Sequence, residues 1–364
     1  NDFEGELVAG LSVADNAVIV VGAKDGVEPG TEKAWEEARK RNIPTLFFVN
    51  KLDEEHTSFE KAYDDIKEHF GDNVVPFEVP INENGKVVGS VNVLKEKAFY
   101  YNDPTTAKDI PASLQDEVAG YLNQVKEAVA VSDEELMEKF FMEEPFTEEE
   151  LIRGVSHGIR TGEIHPVYCG SAVKEIGIER FMDLIVEYLP SYAEKGTVTA
   201  LAEDGSEVEL KTSEDEKTSV FIFKTIADPF TGRISYLKVM SGVLSTDSQL
   251  YNVKKEKMEK TNQLFSIRGK SQISVTKLYT GDIGAVIKLQ NTETGDTLSD
   301  KDIAVRYPEI EFPEAMLGVA AWPKTRADED KFSQAMQKVM EEYARLEKAT
   351  STPDLVPLAQ LARG

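Results

Sequence analysis

The chain has 364 residues, and its 41 Lys and Arg stand against 66 Asp and Glu, which gives a formal net charge of −25. This length predicts two or three domains. The acidic balance argues against a general nucleic-acid binder, although a local basic face is compatible with it. The single cysteine, Cys169, excludes an internal disulfide, and with no signal-peptide pattern it predicts a cytoplasmic protein. The longest apolar stretch, Ala17–Gly22, is far shorter than the roughly 20 residues of a membrane helix, so we expect no membrane partner.

The first half alternates apolar strands with amphipathic helices, which predicts a doubly wound α/β domain. Ala17–Ala23 is rich in valine without strict alternation, and this predicts a parallel strand buried on both faces. The other elements predicted by this pattern are a helix over Thr31–Arg41, a strand over Thr45–Val49, a helix over Ser58–Phe70, a strand over His165–Cys169 and a helix over Gly177–Leu189. Pro190 ends the last helix.

Residues 82–160 depart from the alternating pattern of apolar strands and amphipathic helices, and they are predicted to be an insertion. Asn84-Gly85 favours a tight turn inside a hairpin over Asn82–Val93. Two helices are also predicted there, over Leu114–Val131 and Glu134–Met142. Ser132-x-x-Glu135 and Thr147-x-x-Glu150 both spell the capping box, which indicates a helix start at each.

The second half begins with a polar segment, Glu203–Lys217, that is predicted to be a boundary loop or a solvated hairpin. From Thr218 to Val305, short alternating strands are broken by turn residues, which predicts a small all-β barrel. After Pro313 we expect a strand over Met316–Ala321 and a helix over Asp328–Glu347. Three structural units therefore follow from the sequence, and the last is short.

The tetrapeptide Asn50-Lys51-Leu52-Asp53 lies at the carboxyl end of a predicted parallel strand, where doubly wound sheets bind ligands. Its chemistry suits guanine. The Asp53 carboxylate can accept two parallel N–H bonds from the guanine N1 and 2-amino edge, which adenine does not offer. Asn50 can bridge to neighbouring loops, and the Lys51 stem can lie flat against the ring. The alternative is an ordinary solvated turn.

Gly170-Ser171-Ala172 follows the next buried strand and is the expected second half of such a pocket. Small residues there let backbone N–H groups approach the guanine 6-oxygen, where adenine carries a donor. A plain turn between strand and helix is the alternative.

A phosphate-binding loop of the form G-x-x-x-x-G-K-[ST] is missing from the chain. Gly269-Lys270-Ser271 is the nearest match, but the required first glycine is Leu264 and the tripeptide lies in the predicted β module. Asp2-Phe3-Glu4-Gly5 spells D-x-x-G, the magnesium and γ-phosphate motif of GTPases, without a preceding strand. The four histidines and Cys169 show no metal-ligand spacing.

Three runs together resemble the elongation factor G-like translational GTPases. The first, from Asn1 to Asp53, resembles the part of these proteins that follows the D-x-P-G-H of switch II. The second, from Phe223 to Asp300, is similar to the second domain of elongation factor G, and the third, from Phe312 to Val339, to the start of its third domain. The segment 82–160 has the pattern of the G′ subdomain.

The resemblance implies a multi-domain fold. An incomplete α/β GTPase-like domain with its insertion occupies residues 1–200, a β-barrel domain occupies 201–310, and the start of an α+β ferredoxin-like domain, with an atypical tail from 344, occupies 311–364. Asp2-Phe3 aligns with the pair that follows D-x-P-G-H, so the phosphate-binding loop and the Mg²⁺ ligands are expected upstream of Asn1.

The resemblance also implies guanine-nucleotide recognition, of GTP or GDP, by Asn50, Lys51, Asp53, Ser171 and Ala172, with Mg²⁺ only in the intact parent protein. The parent is expected to hydrolyse GTP and to drive a conformational step on the ribosome. This chain alone is expected to bind nucleotide weakly and to hydrolyse none.

An alternative function is a ribosome-binding module without a nucleotide role, which would contact ribosomal RNA and proteins through the barrel. Tyr251–Ser271 carries six basic residues against two acidic ones, and Lys254, Lys255 and Lys257 are candidate RNA contacts. A solvated charged face also accounts for them. A ribosomal-protection or release-factor relative is a third interpretation.

Overall fold

The computed structural model describes residues 4–131, 134–228, 232–269, 271–313, 318–323, 325–342 and 355–357. The chain divides into two compact units, one formed by Ala14–Pro190 and the other by Asn1–Val13 together with Ser191–Gly364. Across the described ranges, no helix is both long enough and apolar enough to span a bilayer.

The α-helices of the described residues are α1 (Glu4–Leu11), α2 (Pro29–Lys40), α3 (Phe59–Phe70), α4 (Gln115–Val131), α5 (Glu134–Phe141), α6 (Glu148–Thr161), α7 (Ile178–Tyr188) and α8 (Glu329–Glu342). The strands of the first unit are β1 (Ala17–Gly22), β2 (Thr45–Asn50), β3 (Val74–Pro76), β4 (Glu78–Glu83), β5 (Lys86–Asn92), β6 (Lys97–Tyr100), β7 (Asp103–Lys108) and β8 (His165–Cys169). Those of the second unit are β9 (Thr197–Leu201), β10 (Glu207–Lys211), β11 (Ser219–Asp228), β12 (Gly232–Ser241), β13 (Val243–Ser245), β14 (Ser248–Asn252), β15 (Lys257–Thr261), β16 (Leu264–Arg268), β17 (Ser271–Val275), β18 (Lys277–Tyr279), β19 (Ile283–Ile287), β20 (Thr297–Ser299), β21 (Gly318–Ala320) and β22 (Leu355–Pro357).

Four parallel strands form the main sheet of the first unit, in the order β1-β2-β8-β3. β2 and β8 lie in its middle and are buried along their length, apart from the half-buried last residue of β2, as their apolar runs predict. β1 is different because it lies at the edge of the described sheet, and Val18 and Val20 are 41% and 57% exposed. The prediction that this strand is buried on both faces is therefore wrong. Ala17, Ile19 and Val21 are buried on one face, and no described element covers the opposite face.

The helix boundaries follow their end signals. α2 starts two residues before the predicted Thr31, because Pro29 has a fixed φ that suits the first helical position. The Thr147 capping box is confirmed: the Glu150 N–H donates to Thr147 Oγ1 at 3.2 Å, and the Thr147 N–H donates to Glu150 Oε2 at 2.9 Å. The other predicted box begins at Ser132, which lies outside the described residues.

The inserted segment forms an antiparallel sheet in the order β4-β5-β6-β7, which the helices α4, α5 and α6 follow. The predicted hairpin is confirmed: Asn84 and Gly85 both have positive φ, 52° and 77°, as a tight two-residue turn requires. The sheet and the helices contribute to one hydrophobic cluster, in which Val79 and Val91 from the sheet join Val125 from α4. The sheet starts at Glu78, a few residues before the predicted insertion boundary.

The second unit is an antiparallel β domain around the long strand pair β11 and β12. Its main sheet has the order β15-β14-β20-β11-β12-β19-β16-β17, with β13 and β18 paired separately. A core of small aliphatic side chains fills it, including Val220, Leu237 and Val286, each fully buried. Within the predicted polar segment Glu203–Lys217 lies β10, which pairs antiparallel with β9, just before the segment, to form a hairpin.

The α1 segment belongs to this β unit. Lys238 on β12 is only 2% exposed, and its Nζ donates to the Val13 carbonyl at 3.0 Å and lies 4.0 Å above the Tyr192 ring. Lys224 on β11 also forms an ion pair with Glu6. A buried ammonium needs such partners, so these contacts fix the segment on the β domain.

The last part of the chain is described in pieces. A strand at Gly318–Ala320 falls within the predicted range Met316–Ala321, and α8 matches the first part of the predicted helix. In the tail, Leu355–Pro357 pairs antiparallel with Gly318–Ala320. Met316 and Leu317 of the predicted strand, and the predicted helix beyond Glu342, lie outside the described residues.

His165 is a fully buried histidine at the start of β8. Its Nδ1 bonds to the Thr45 carbonyl at 3.0 Å, and the Trp35 ring packs edge-on at 4.7 Å. Burial lowers its pKa to about 4, more than the bond to Thr45 raises it. The imidazole is therefore neutral at pH 7.

We predict that protonation of His165 destabilises the fold at acid pH. Because its folded-state pKa lies below the unfolded value, its contribution to the free energy of unfolding is complete above about pH 6.5 and declines as the pH falls towards 4, by up to about 3 kcal/mol. Urea unfolding of the wild type and of His165→Asn at about pH 7.5 and about pH 4.5 measures the loss. Asparagine keeps a donor for Thr45 but does not titrate.

The control is His69→Gln, because a hydrogen bond with the Asp65 carbonyl raises the pKa of this surface histidine. Its contribution is present at low pH, so its removal should not reduce the acid-induced loss. An equal loss in the wild type and in His165→Asn would contradict the prediction.

Candidate functional site

The Asn50-Lys51-Leu52-Asp53 loop leaves the sheet at the carboxyl end of β2. Asn50 is half-buried, Leu52 is buried, and Lys51 and Asp53 are exposed. Lys51 has a φ of 66°, a left-handed conformation that non-glycine residues adopt infrequently. The loop thus inserts Leu52 into the core and leaves its two charged side chains in solvent, as a ligand contact requires.

Asn50 connects three loops at one edge of the sheet. Its backbone carbonyl accepts a hydrogen bond from the Ala23 N–H at 2.9 Å, after β1. Its side-chain Oδ1 accepts one from the Ala172 N–H at 2.9 Å, after β8. One residue therefore fixes the relative positions of the two predicted guanine-binding segments.

Gly170 fastens the same two segments. Its N–H donates to the Val49 carbonyl at 3.0 Å, and its carbonyl accepts from the Leu52 N–H at 3.1 Å. A Cβ at this position would lie 2.2 Å from the Ile176 carbonyl oxygen. No residue larger than glycine fits without moving the loop.

The Ser171-to-Ile176 turn presents its tip to solvent. Ser171 and Ile176 exchange two backbone hydrogen bonds, of 3.0 and 2.9 Å, which close the turn. Ser171 is buried, and its Oγ accepts from the Lys174 N–H at 3.3 Å, whereas Ala172 and Val173 are exposed. The buried Ser171 acts within the loop, and the Ala172 backbone is the part that a ligand can reach.

Two further residues support the site and were missed by sequence reasoning. Asp25, in the loop after β1, pairs with Lys51 at 3.2 Å, and this bond and charge raise the pKa of Lys51. Asp65 on α3 accepts from the Val27 N–H at 2.6 Å and so holds that loop. The only sequence signal for Asp25 was its place in an Asp-Gly turn at the end of a strand. No sequence signal indicated Asp65.

No group of three or more His, Cys, Asp or Glu side chains in the described ranges could hold a metal ion. Gly269 has a φ of 59° and lies between the paired strands β16 and β17, so the rejected glycine-lysine-serine match lies in a β-hairpin. Asp2 and Phe3 lie outside the described residues.

The candidate RNA-binding lysines each have a partner. Lys254 pairs with Glu309 and Lys255 with Glu293, both at 2.7 Å, and Lys257 Nζ donates to Asn291 Oδ1 at 3.1 Å. The bond to Glu309 raises the pKa of Lys254 and lowers that of Glu309. These pairings favour a solvated charged face over an open cationic patch.

The parallel sheet, with an Asn-Lys-x-Asp loop fastened to a small-residue turn at its carboxyl edge, defines the nucleotide-binding domain class of the GTPases. Comparison with known families agrees. Residues 1–191 match the elongation factor Tu GTP binding domain, and residues 217–301 match the elongation factor G domain 2. The chain belongs to the elongation factor Tu-type GTP-binding family, and its second domain is of the elongation factor G type. These matches confirm the predicted GTPase-like and β-barrel-like domains.

A solved structure is also similar over almost the whole chain. A crystal structure of a protein from Thermus thermophilus is 29% identical, with a TM-score of 0.82, over 98% of this chain and 51% of that one. The chain thus spans about half the length of the solved protein that it matches.

We predict that Asn50→Ala separates the two loops. Loss of the bond to Ala172 should lower the free energy of unfolding by about 1 kcal/mol and speed hydrogen exchange of the Ala172 amide about tenfold. Asn50→Asp keeps an acceptor oxygen at the same position and should keep the amide protected. Unchanged exchange in Asn50→Ala would show that the bridge does not hold the loop.

Proposed function

We propose that this chain carries the guanine-recognition half of the nucleotide site of an elongation factor G-like translation GTPase. The observation that supports it best is the hydrogen bond that the Ala172 N–H donates to Asn50 Oδ1, which joins the Asp53 loop to the Ala172 loop at the carboxyl edge of the sheet. A solvated turn would need no such link between two loops that are 122 positions apart in the sequence.

In this proposal the base is read by its hydrogen-bonding edges. The exposed Asp53 carboxylate accepts from guanine N1–H and the 2-amino group, a bidentate charge-assisted pair. The exposed Ala172 backbone faces the 6-oxygen, which accepts where adenine donates. The Ala172 N–H that bonds to Asn50 Oδ1 would then be shared with the base, while the buried Ser171 keeps its bonds to Ile176 and closes the turn. The Lys51 stem lies along the ring, and Asp25 holds its ammonium at 3.2 Å.

The phosphates have no dedicated cradle in these 364 residues, because the sequence contains no G-x-x-x-x-G-K-[ST] loop. Phosphate contacts and Mg²⁺ are therefore assigned to the whole protein and to none of the described residues. We expect weak binding of guanine compounds by this chain, with selectivity that comes from the base.

The activity of the whole protein is proposed from its family. It would bind GTP, act on the ribosome in protein synthesis, and couple hydrolysis to a conformational change. The elongation factor G type of the second domain supports this role over a protein with an isolated GTPase domain. A ribosome-binding module without a nucleotide role is the alternative that the next experiment tests.

We predict that Asp53→Asn changes the base preference from guanine to xanthine. An asparagine can donate to the 2-oxo group of xanthine, whereas it loses the charge-assisted acceptor for guanine, so guanosine binding should weaken at least about tenfold. Saturation-transfer NMR with guanosine, xanthosine and adenosine measures it, and nucleosides isolate the base from the missing phosphate contacts.

The matched control is Asp72→Asn, since Asp72 is a fully exposed carboxylate outside this site. It should leave the guanosine signal unchanged. A wild-type chain that binds guanosine no better than adenosine would overturn the nucleotide role and favour the module without one.

A further inference from the structure

A buried polar cluster lies beneath the Ala172 loop, and part of it comes from the inserted sheet. Glu78, the first residue of β4, is 3% exposed although it carries a carboxyl group. Its Oε1 accepts from Asn92 Nδ2 at 3.2 Å and lies 3.7 Å from Arg180 Nη2. Arg180 belongs to the first turn of α7, directly after the loop. An ion pair thus connects the inserted sheet to the helix that the loop enters.

Arg180 is held on a second side by the same sheet. Its guanidinium carbon lies 3.7 Å above the centre of the Phe99 ring, on β6. Only 16% of its side chain is exposed. A planar cation stacked on an aromatic ring and paired with a carboxylate has little freedom to move. The start of α7 is therefore fixed by two strands of the insertion.

Tyr101 and Cys169 bring the cluster into contact with the loop itself. Gly177, which ends the loop, has a φ of 76°, and a Cβ there would lie 2.7 Å from the Cys169 carbonyl oxygen and 3.7 Å from the Tyr101 hydroxyl. The Cys169 thiol donates to the Glu78 carbonyl at 3.6 Å. Tyr101, in the turn between β6 and β7, thus lies directly against the base of the loop.

The cluster has unused hydrogen-bonding capacity. Within the described ranges, Glu78 Oε2, the Tyr101 hydroxyl and Arg180 Nε have no hydrogen-bond partner. Burial raises the pKa of Glu78, and the nearby Ser90 hydroxyl and the charge of Arg180 partly offset that rise. Buried polar groups with incomplete partners contribute little net stability, and hydrophobic side chains of similar size would pack as well. A role other than stability is therefore reasonable for them.

We propose that the inserted sheet is a working part of the guanine site, with Glu78, Tyr101 and Arg180 as positioning residues for the Ser171–Gly177 loop. The proposal rests on the proposed function, because it assigns the loop to the guanine 6-oxygen. Its consequence is a coupling: a partner that displaces the inserted sheet lowers guanine affinity, and bound guanine restrains the sheet.

The test compares Glu78→Gln and Tyr101→Phe with the wild type in the full chain. Glu78→Gln keeps the size and the bond to Asn92 but removes the charge that holds Arg180, and it should weaken guanosine binding about fivefold. Tyr101→Phe removes the hydroxyl that packs against Gly177 at the base of the loop, and the altered packing should weaken binding about twofold. Both should shift the Ala172 and Val173 amide resonances, which a merely stabilising role would leave in place.

Glu187→Gln is the matched control. It breaks the 2.9 Å ion pair between Lys95 and Glu187, which joins the insertion to α7 about 10 Å further along the helix. Guanosine affinity and the loop resonances should stay at their wild-type values.

The outcomes separate the two proposals. Folded variants with wild-type guanosine affinity and unmoved loop resonances would overturn the positioning role. If the wild type binds no guanosine, the proposed function fails, and the Ala172 and Val173 resonances still decide whether the cluster positions the loop. If Glu78→Gln does not fold, Tyr101→Phe decides by the same readouts.

Discussion

The hydrogen bonds of Asn50 are the constraint on which the candidate site depends. At the carboxyl edge of a parallel sheet, strands diverge into loops and lose the backbone partners that the ladder supplied. Asn50 replaces these partners, since its backbone carbonyl accepts a hydrogen bond from the Ala23 N–H and its side-chain Oδ1 accepts one from the Ala172 N–H. The three loops, which follow strands distant in the sequence, are thus held in fixed relative positions. In the proposed function, the edge of a flat base is recognised between them.

The candidate basic side chains of this acidic molecule are already paired with neighbouring groups. The three candidate RNA-binding lysines, Lys254, Lys255 and Lys257, are paired with acidic or amide side chains, and Lys51 is paired with Asp25. A chain with a net charge of −25 repels free phosphates. In the proposed function, recognition of guanine at this edge of the sheet depends on short-range hydrogen bonds, whose geometry the scaffold fixes, rather than on a long-range attractive field.

Sequence reasoning succeeded where the signal is local. The buried strand before Asn50, the Asn84-Gly85 hairpin and the Thr147 capping box each depend on neighbouring residues, and the structure has all three. It failed for β1, because apolar composition does not show whether a strand lies at an edge. Asp65 and the pair of Glu78 with Arg180 were beyond its reach, since 38 and 102 positions separate the contacting groups. Such contacts exist only after the sheet and the insertion have packed.

The close packing around Gly170 and Gly177 explains why distant support matters for this site. A Cβ would lie 2.2 Å from a carbonyl oxygen at Gly170 and 2.7 Å from one at Gly177. The loop is therefore packed so closely that it must move when the flanking strand or helix shifts. Well-packed interiors transmit displacements instead of damping them. A movement of Arg180 or Tyr101 would therefore reach Ala172, and through it Asn50. The insertion lies against this rigid path, which gives an added subdomain a direct physical means of acting on base recognition.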